Sequence, residues 1–295
     1  MKNNYKYYLA MIITTILFAG AFIAGKLGIS SFSPIVMTYL RIGLATVIIF
    51  PIMIYKEKEN WKLKRDEVLT AFKLGLIGMT FYHFLFFTAL KYTTASNAAV
   101  INASMPVITA ILASFMIKEK LSFKKILLIL LAFLGVLLTI TKWNFVDIYN
   151  NGFNKGDLIM LCATTSWSIY GIFVKKEIRS TSPLKMTTYS FLMCVLIVTP
   201  FALKEILFDN ALMVPPSAYL AILYMAIFPT VIGYTIQQAC IKQLGPSQAA
   251  LFVNLVPIFS IIMALVFLKE SIYPLTFISA GMIIGAVIMF TKIKD

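Results

Sequence analysis

The sequence is poor in charged residues. They occupy 13% of its 295 positions, whereas a soluble domain carries roughly 25%. Hydrophobic residues make up 60% of the chain. The few charges stand in short clusters, and the apolar runs between them are about 20 residues long, which is the length needed to cross a hydrocarbon core of about 30 Å. This composition excludes a soluble globular domain and predicts an all-α integral membrane protein.

Histidine and cysteine are scarce as well. The chain has one histidine, His83, and three cysteines, none of which forms a Cys-x-x-Cys pair. No aspartate or glutamate lies deep inside an apolar run. A membrane enzyme needs paired carboxylates with a metal, a Ser–His pair or a histidine cluster. These absences argue strongly against an enzyme, and we expect neither a metal nor a cofactor.

Long polar segments are missing too. The longest link between apolar runs is the polar segment 143–156, so a nucleotide-binding or catalytic soluble domain has no room to fold. We count ten apolar runs and predict a transmembrane helix for each. Their approximate bounds are 7–28, 34–55, 68–90, 95–117, 124–141, 157–174, 184–207, 217–240, 246–268 and 274–292.

Basic residues outnumber acidic ones and are unevenly distributed along the chain. A net charge of +14 would suit a nucleic-acid partner if the charges formed one surface. With the N-terminus placed inside, however, 18 of the 26 lysine and arginine residues fall in inner loops and six in outer loops. This bias is the positive-inside signature of a multi-pass protein. We therefore predict a plasma (cell inner) membrane protein with both termini cytoplasmic and no nucleic-acid partner.

The second half of the chain repeats the first. The segment 91–119 recurs, loosely but in register, 151 residues later as 242–270. The matched residues are Lys91 and Lys242, Ser96 and Ser247, Ala98-Ala99 and Ala249-Ala250, Pro106 and Pro257, and Lys118-Glu119 and Lys269-Glu270. Because each half has an odd number of spans, the second copy must enter the membrane from the opposite side. The sequence thus predicts two inverted five-helix repeats, 1–142 and 157–295, joined by an extracytoplasmic linker at 143–156.

Short motifs along both halves carry a family resemblance. They are Phe18-Ala19-Gly20, Ser33-Pro34 with Arg41, Thr88 to Thr93, Ser96-Asn97-Ala98-Ala99, Met105-Pro106-Val107, Lys118-Glu119-Lys120-Leu121, Ser166 to Tyr170, Val256-Pro257-Ile258 and Leu268-Lys269-Glu270. In this order the chain resembles the EamA family of the drug/metabolite transporter (DMT) superfamily, as two tandem EamA repeats. One departure is Phe18, because the family's usual residue there is tryptophan, which adds an N–H donor.

The resemblance implies a function as well as a fold. It implies a ten-helix carrier with a central cavity between the repeats, which moves small metabolites such as amino acids or amphipathic organic compounds, often outward, by alternating access. Transport would be secondary-active, coupled to protons or exchange, or facilitative. The implied partners are the small-molecule substrate and the lipid bilayer, and we expect a monomer. A membrane receptor or scaffold is the alternative that the sequence leaves open.

Arg41 is the first candidate for a substrate-binding residue. It lies about seven residues into the second run, roughly 10 Å from the outer end at 1.5 Å per residue. A charge at that depth costs at least a few kcal/mol unless it is paired or hydrated. Two interpretations are open. Arg41 either anchors a carboxylate or other anion of the substrate, or it snorkels outward and holds carbonyl oxygens at the helix end.

The other candidates are polar or aromatic side chains at mid-membrane depth. They are Tyr82 and His83 in the third run, Trp167 and Tyr170 in the sixth, and Tyr234, Gln237 and Gln238 in the eighth. Glutamine is costly in lipid and must face protein or water. These side chains either line a substrate cavity at the interface of the halves or make helix–helix contacts only. His83 is also the one mid-membrane side chain whose unperturbed pKa, about 6.5, lies near neutrality. Either it carries a coupling proton or, as we favour, transport is facilitated diffusion or exchange.

Paired prolines and a glycine motif are candidates for a mechanical role. Pro106 and Pro257 occupy matching positions, remove a backbone hydrogen bond, and can kink their helices as gates or only shape packing. Gly281 and Gly285 form a Gly-x-x-x-Gly motif in the tenth run, which predicts close helix packing. Gly135 belongs to a second small-residue face, in the fifth run.

Overall fold

The computed structural model describes residues 5–116, 122–141, 153–177, 181–208, 213–244 and 252–293. Within these ranges every regular element is a helix, and ten helical units follow one another. They are α1 (Tyr5–Gly28), α2 (Pro34–Glu57), α3 (Arg65–Tyr92), α4 (Ala95–Asn102 and Met105–Met116), α5 (Phe123–Thr141), α6 (Lys155–Glu177), α7 (Pro183–Phe208), α8 (Pro216–Met225, Ala226–Gly233 and Tyr234–Leu244), α9 (Val256–Leu268) and α10 (Pro274–Lys292).

Most of these helices have the length and composition of membrane spans. Among the described residues, seven are long and apolar enough to cross a bilayer, namely α1, α2, α3, α4, α6, α7 and α8. Val256–Leu268 in α9 and Pro274–Phe290 in α10 are shorter apolar helices. The chain preceding α9, 245–251, lies outside the described residues. Ten crossings and their inversion therefore stay a prediction.

Local sequence signals account for where several helices begin. The Ser33 side chain accepts a hydrogen bond from the backbone N–H of Val36 (3.2 Å), and Pro34 is the first residue of α2. Thr94 accepts in the same way from Asn97 (3.1 Å) at the start of α4. Short hydroxyl side chains before the first turn satisfy N–H groups that have no partner in the helix, and proline is tolerated at the first position for the same reason.

The helices pack in a reciprocal pattern. Helix α1 packs against α8 and α9, while α6 packs against α3 and α4. Three further pairs join corresponding helices of the two halves, α2 with α7, α4 with α9, and α5 with α10. The pattern is unchanged when each helix is exchanged with the helix five places along. The halves are therefore interlocked, and the main core is formed where they meet.

Two of the helical irregularities are also duplicated, whereas a third, the π-helical stretch Ala264–Leu268 in α9, corresponds to α-helix in α4 as far as Met116. Helix α3 contains a π-helical stretch at Gly75–Phe81, and α8 contains another at Ala226–Gly233, which begins 151 positions later. Helix α4 is interrupted by a turn at 103–104, and a turn at 254–255 precedes α9, again 151 positions later. Pro106 and Pro257 are each the second residue of the helical segment after the turn. Because proline has no N–H, it fits that first turn.

Close packing between α5 and α10 depends on Gly135. A Cβ atom added there would lie 2.7 Å from Cγ1 of Ile283 and 3.0 Å from the carbonyl oxygen of Ser279. The predicted packing role of Gly281 and Gly285 is not what the described residues show, because a Cβ at either position would meet no atom within 4 Å.

Candidate functional site

A cavity of about 340 Å³ lies between the two halves. Its wall is formed by residues of α1, α2, α3 and α4 from the first half and of α6, α8 and α9 from the second, together with the turn before α9. The cavity thus lies at the duplicated irregularities, since both prolines and residues beside both π-helical stretches are in its wall. A volume of this size is within the range of small-molecule sites.

Most of the predicted substrate-binding residues meet at this cavity. The wall includes Arg41, Tyr82, His83, Trp167, Tyr234 and Gln237. Tyr170 is outside the wall, and its ring packs against Trp167 with centroids 4.9 Å apart. The side chain of Gln238 is outside the described residues. The structure brings the six residues together, and their binding of a substrate stays a prediction.

Arg41 is held inside the protein by a residue of the other half. Its side chain is 6% exposed, and its Nε and Nη2 atoms both donate to Oγ1 of Thr230 at 3.3 Å. The Thr230 hydroxyl donates in turn to the carbonyl oxygen of Met225 (2.7 Å), five residues earlier across the π-helical stretch of α8. The guanidinium carbon lies 5.9 Å from the ring centroid of Phe87. These contacts keep the guanidinium at the cavity instead of at the helix end.

Aromatic rings form one continuous wall of the cavity. Trp167 is at its centre, with ring centroids 4.6 Å from Tyr82 and 6.4 Å from Tyr234. The wall continues from Tyr82 to Phe86 at 5.8 Å and from Tyr234 to Phe18 at 5.7 Å. Ring pairs at these separations attract each other in tilted and offset arrangements. The wall joins α1, α3, α6 and α8, so it spans both halves.

His83 uses one ring nitrogen to bond its own helix. Nδ1 lies 2.8 Å from the carbonyl oxygen of Met79. Because a carbonyl oxygen only accepts, Nδ1 carries a hydrogen, and Nε2 is the nitrogen available for other contacts. The ring is 2% exposed and packs edge-on against Tyr82 at 5.0 Å. Among the described residues no carboxylate bonds to it.

Amide side chains stand at both helix interruptions. Asn102 precedes the turn in α4, Asn254 lies in the turn before α9, and both line the cavity. Oδ1 of Asn102 lies 3.5 Å from Oγ1 of Thr164. Nδ2 of Asn254 is buried and has no hydrogen-bond partner among the described residues. A buried donor without a partner is costly, and this one belongs to a residue of the cavity wall.

Polar clusters tie the halves together at the two ends of α3. At its C-terminal end Glu270 accepts hydrogen bonds from the backbone N–H groups of Ala95 (2.8 Å) and Ser96 (3.2 Å) and from the Ser96 hydroxyl (2.7 Å). We call this arrangement the Glu270 cap. Glu270 thus binds the N-terminus of α4, where a negative charge is favourable. Glu119, its counterpart, lies outside the described residues.

The other end of α3 carries an ion pair. The Glu67 carboxylate accepts three hydrogen bonds, from Nζ of Lys185 (2.8 Å), from the Thr181 hydroxyl (2.6 Å) and from the backbone N–H of Lys64 (2.8 Å). The pair is almost fully buried. It joins the start of α3 in the first half to the start of α7 in the second. The described residues contain no group of three His, Cys, Asp or Glu placed to hold a metal ion.

Sequence reasoning missed several residues of the site. Thr230 carries no sequence signal, since a threonine in a helix ordinarily bonds its own backbone. Asn102 and Asn254 had a weak signal, because each precedes one of the paired prolines. Phe18 and Phe86 are indistinguishable by sequence from lipid-facing or core aromatics. Their place in the wall follows from how the two halves pack.

Comparison with known proteins agrees with this architecture. The model of the EamA-like transporter family matches residues 5–141 and, a second time, 154–292. The chain is 33% identical over 258 residues to "Uncharacterized transporter YyaM" of Bacillus subtilis, covering 86% of this chain and 84% of the relative. It is 28% identical over 267 residues to an "Uncharacterized transporter" of Archaeoglobus fulgidus, covering 90% and 91%.

More distant likenesses extend the comparison. The "WAT1-related protein At1g43650" of Arabidopsis thaliana is 25% identical over 319 residues, covering 98% of this chain and 90% of the relative. One solved crystal structure superposes with a TM-score of 0.65 at 18% identity and covers 98% of both chains. At that identity the likeness shows the fold alone.

The apolar helices and the cavity between two interlocked halves define a multi-pass membrane protein of the transporter class. The two matched segments and the relatives then give the family. The chain belongs to the EamA-like transporter family, within the DMT superfamily.

Proposed function

We propose that this protein is a secondary-active or facilitative carrier that moves small metabolites through the cavity between its halves. The observation that carries the proposal is the position of the cavity, whose wall takes residues from seven helices of both halves. A site built between two packed bodies changes its access when the bodies rock against each other. A receptor or scaffold has no comparable need for a cavity at the centre of a duplicated fold.

Alternating access is supported by the duplication of the irregularities. The turn within α4 and the turn before α9 stand at matching positions beside the cavity, and so do the π-helical stretches of α3 and α8. Interrupted and π-helical segments are places where a helix changes direction at low cost. We propose that Pro106 and Pro257 mark equivalent hinges and that motion at one closes one side of the cavity while motion at the other opens the second side.

We propose the plasma membrane as the location, with both termini cytoplasmic and the second repeat inverted. The lysine and arginine bias of 18 inner to six outer residues supports this orientation. On the family resemblance, we propose that the protein exports small metabolites, such as amino acids or amphipathic organic compounds. The names of the relatives, which call them only transporters or a related protein, give neither a substrate nor a direction of transport.

Transport of a defined metabolite mixture tests this proposal. Purified protein in proteoliposomes is given the mixture inside, and efflux is followed by mass spectrometry beside empty liposomes. We expect at least one compound to leave faster than from empty liposomes, and Trp167→Ala to slow it, because the aromatic wall loses its central ring. Trp61→Ala, which removes a tryptophan far from the cavity, is the matched control. If no compound moves faster than from empty liposomes, a receptor or scaffold is the better interpretation.

A further inference from the structure

The cavity has one formal charge in the wall that the structure describes, and it is positive. Arg41 is the only Lys, Arg, Asp or Glu in that wall. Four buried or half-buried carboxylates of the described chain are engaged elsewhere, at helix ends, and the half-buried Glu57 ends α2 outside the cavity wall. Glu67 bonds Lys185, Glu270 caps α4, Asp157 accepts from Thr93, and Glu205 accepts from Ser33. The field inside the cavity is therefore that of a single buried cation.

The hydrogen bonds of Arg41 leave part of its guanidinium unused. Within the described chain, Nε and Nη2 donate to Thr230, and these are the hydrogen bonds that the side chain makes. A guanidinium has five N–H donors in a planar fork. A buried cation without a carboxylate is costly unless a ligand or water compensates it. Arg41 itself is part of the wall of the cavity in which a substrate would sit.

A second buried donor points to the same kind of ligand. Asn254 lines the cavity and is 5% exposed, and its Nδ2 is a buried atom without a hydrogen-bond partner among the described residues. Arg41 comes from α2 in the first half and Asn254 from the turn before α9 in the second. Two donors from opposite halves, one of them cationic, fit a ligand group that only accepts hydrogen bonds.

The remaining wall is suited to a flat apolar body. Tyr82, Trp167 and Tyr234 form a continuous ring surface, and Phe18 and Phe86 extend it at either side. Ring surfaces of this kind favour planar ligands that stack or meet them edge-on. The cavity volume of about 340 Å³ limits the ligand to a small molecule.

We propose that the substrate is a small organic monoanion, a carboxylate carried on an aromatic or similarly planar body. The carboxylate would bind Arg41 and Asn254, and the body would lie against the rings around Trp167. One cation balances one negative charge. A second carboxylate would be buried without a partner, and an ammonium group would face the like charge of Arg41. This assignment rests on the proposed carrier function and narrows its substrate class.

Thr230 is the positioning residue in this proposal. Its hydroxyl donates to Met225 and so presents its oxygen lone pairs to Arg41. Val at this position keeps the shape and loses the acceptor, while Ser keeps the acceptor. We expect Thr230→Val to weaken binding of an anionic ligand more than binding of a neutral one, and we expect Thr230→Ser to bind both as the wild type does.

A series of ligands with one ring and different charges tests the assignment. The probes are phenylacetate (monoanion), 2-phenylethanol (neutral), phenylalanine (zwitterion), 2-phenylethylamine (cation) and phenylmalonate (dianion). Binding to the purified full-length protein is measured by isothermal titration calorimetry. We expect phenylacetate to bind about 10- to 100-fold more tightly than 2-phenylethanol, the range given by a hydrogen-bonded charged group. Cyclohexylacetate should bind about 2- to 10-fold more weakly than phenylacetate, because it lacks a planar ring.

Variants decide whether Arg41 causes the expected preference for phenylacetate over 2-phenylethanol. Arg41→Gln should remove the difference between phenylacetate and 2-phenylethanol, and Arg41→Lys should keep part of it, because it keeps the charge and loses the fork. Arg65→Gln removes an exposed arginine and should behave like wild type, as should Thr88→Val, whose hydroxyl bonds its own helix at Phe84. Monodisperse elution in size-exclusion chromatography checks that each variant is folded.

The outcomes separate this assignment from the carrier function. The assignment is wrong if the zwitterion, cation or dianion binds more tightly than phenylacetate, if no probe binds, or if Arg41→Gln keeps the preference. In each of these cases efflux from the metabolite mixture still shows whether the protein is a carrier. Binding of phenylacetate without efflux of any compound would instead leave the site in place and remove the carrier function.

Discussion

A single residue, His83, decides which coupling mechanisms the described cavity allows. Its Nδ1 is bonded to Met79, so protonation of the ring during a transport cycle would have to occur at Nε2. A relay histidine ordinarily has a carboxylate partner, and the described residues provide none. Facilitated diffusion or exchange, which the sequence favoured, therefore stays our proposal for the transport mechanism.

We expect His83→Gln to transport like the wild type, because glutamine keeps a hydrogen-bonding group in a ring-lined position while removing the titratable nitrogen. We also expect neither protein to move protons when substrate is added. A pH-sensitive dye inside proteoliposomes measures this. Proton movement that disappears in His83→Gln would show that the histidine carries the proton. Proton movement that persists in the variant would assign coupling to carboxylates at the helix ends instead.

At the scale of residues, the sequence predicted the site where polarity was unusual for its surroundings. Arg41, His83 and Gln237 stand out in apolar runs because burying them in lipid is costly, and all three line the cavity. Thr230 could not be found in this way, since a hydroxyl in a helix costs little. Its contact with Arg41 exists only because α2 and α8 pack together.

At the scale of elements, the Glu270 cap joins the end of α9 to the start of α4. We expect Glu270→Ala to loosen the start of α4, because losing a helix cap costs about 0.5–2 kcal/mol. This cost corresponds to a rise of roughly 2- to 30-fold in the fraction of molecules in which the start of α4 is unfolded. Ala98, fully buried in the second turn of α4, is changed to cysteine as the reporter. An impermeant thiol reagent applied outside should label Ala98→Cys faster in the Glu270→Ala background.

Two controls complete the Glu270 experiment. The native cysteines are first replaced by alanine, so that the reporter is the one thiol present. Glu59→Ala removes an exposed glutamate in the short helix Lys58–Trp61 and should leave the labelling rate unchanged. Equal labelling in the Glu270→Ala and parent backgrounds would mean that the cap does not hold α4 in place.

Glycines at two positions provide a second test at this scale. Gly135→Ala should lower the melting temperature by several degrees, because overpacking costs about 1–3 kcal/mol and each kcal/mol shifts the midpoint by about 2–4 °C in a domain of moderate size. Gly281→Ala should leave it unchanged or raise it, since the added Cβ meets no atom within 4 Å and alanine favours the helix. A thermal unfolding assay in detergent compares them, and the reverse order would contradict the α5–α10 contact.

The sequence predicted elements better than their internal irregularities. The predicted runs at 34–55 and 184–207 lie within α2 and α7, with ends at most two residues short, because apolar composition and a Ser-Pro start define both. The π-helical stretches were not predicted. A π-helical stretch adds one residue to a turn, and its position depends on packing against neighbouring helices rather than on local composition. The paired prolines gave the position of the interruptions but not their form.

At the scale of the whole molecule, the proposed orientation in the membrane rests on loop charge. We predict that a cysteine introduced at Asn151 in the linker reacts with an impermeant thiol reagent added outside intact cells. A cysteine at Lys58 should react only after permeabilisation, because that cluster of positive charge stays in the cytoplasm. Both measurements use the chain without its native cysteines. The opposite labelling pattern would overturn the proposed topology and the inversion with it.

The overall architecture was the most predictable level. The internal repeat was visible in the spacing of Lys91 and Lys242 and of Pro106 and Pro257. The family model matches the chain in two successive segments, one in each half. What the repeat could not give is the way in which the halves interlock. Reciprocal packing of α1 with α8 and α9, and of α6 with α3 and α4, brings residues far apart in sequence to one cavity, and no spacing rule encodes it.

The duplicated scaffold carries a site that is not duplicated. In the register that aligns Ser33-Pro34 with Ser182-Pro183, the counterpart of Arg41 is Ser190, whose hydroxyl bonds its own helix at Met186. The prolines and the π-helical stretches beside the cavity therefore occur in both halves, and the buried arginine of its wall occurs in one. Mutations near Arg41 can change the substrate while the paired prolines and the π-helical stretches stay matched in the two halves. We expect descendants of such a duplicated gene to diversify in what they carry long before they diverge in how they move.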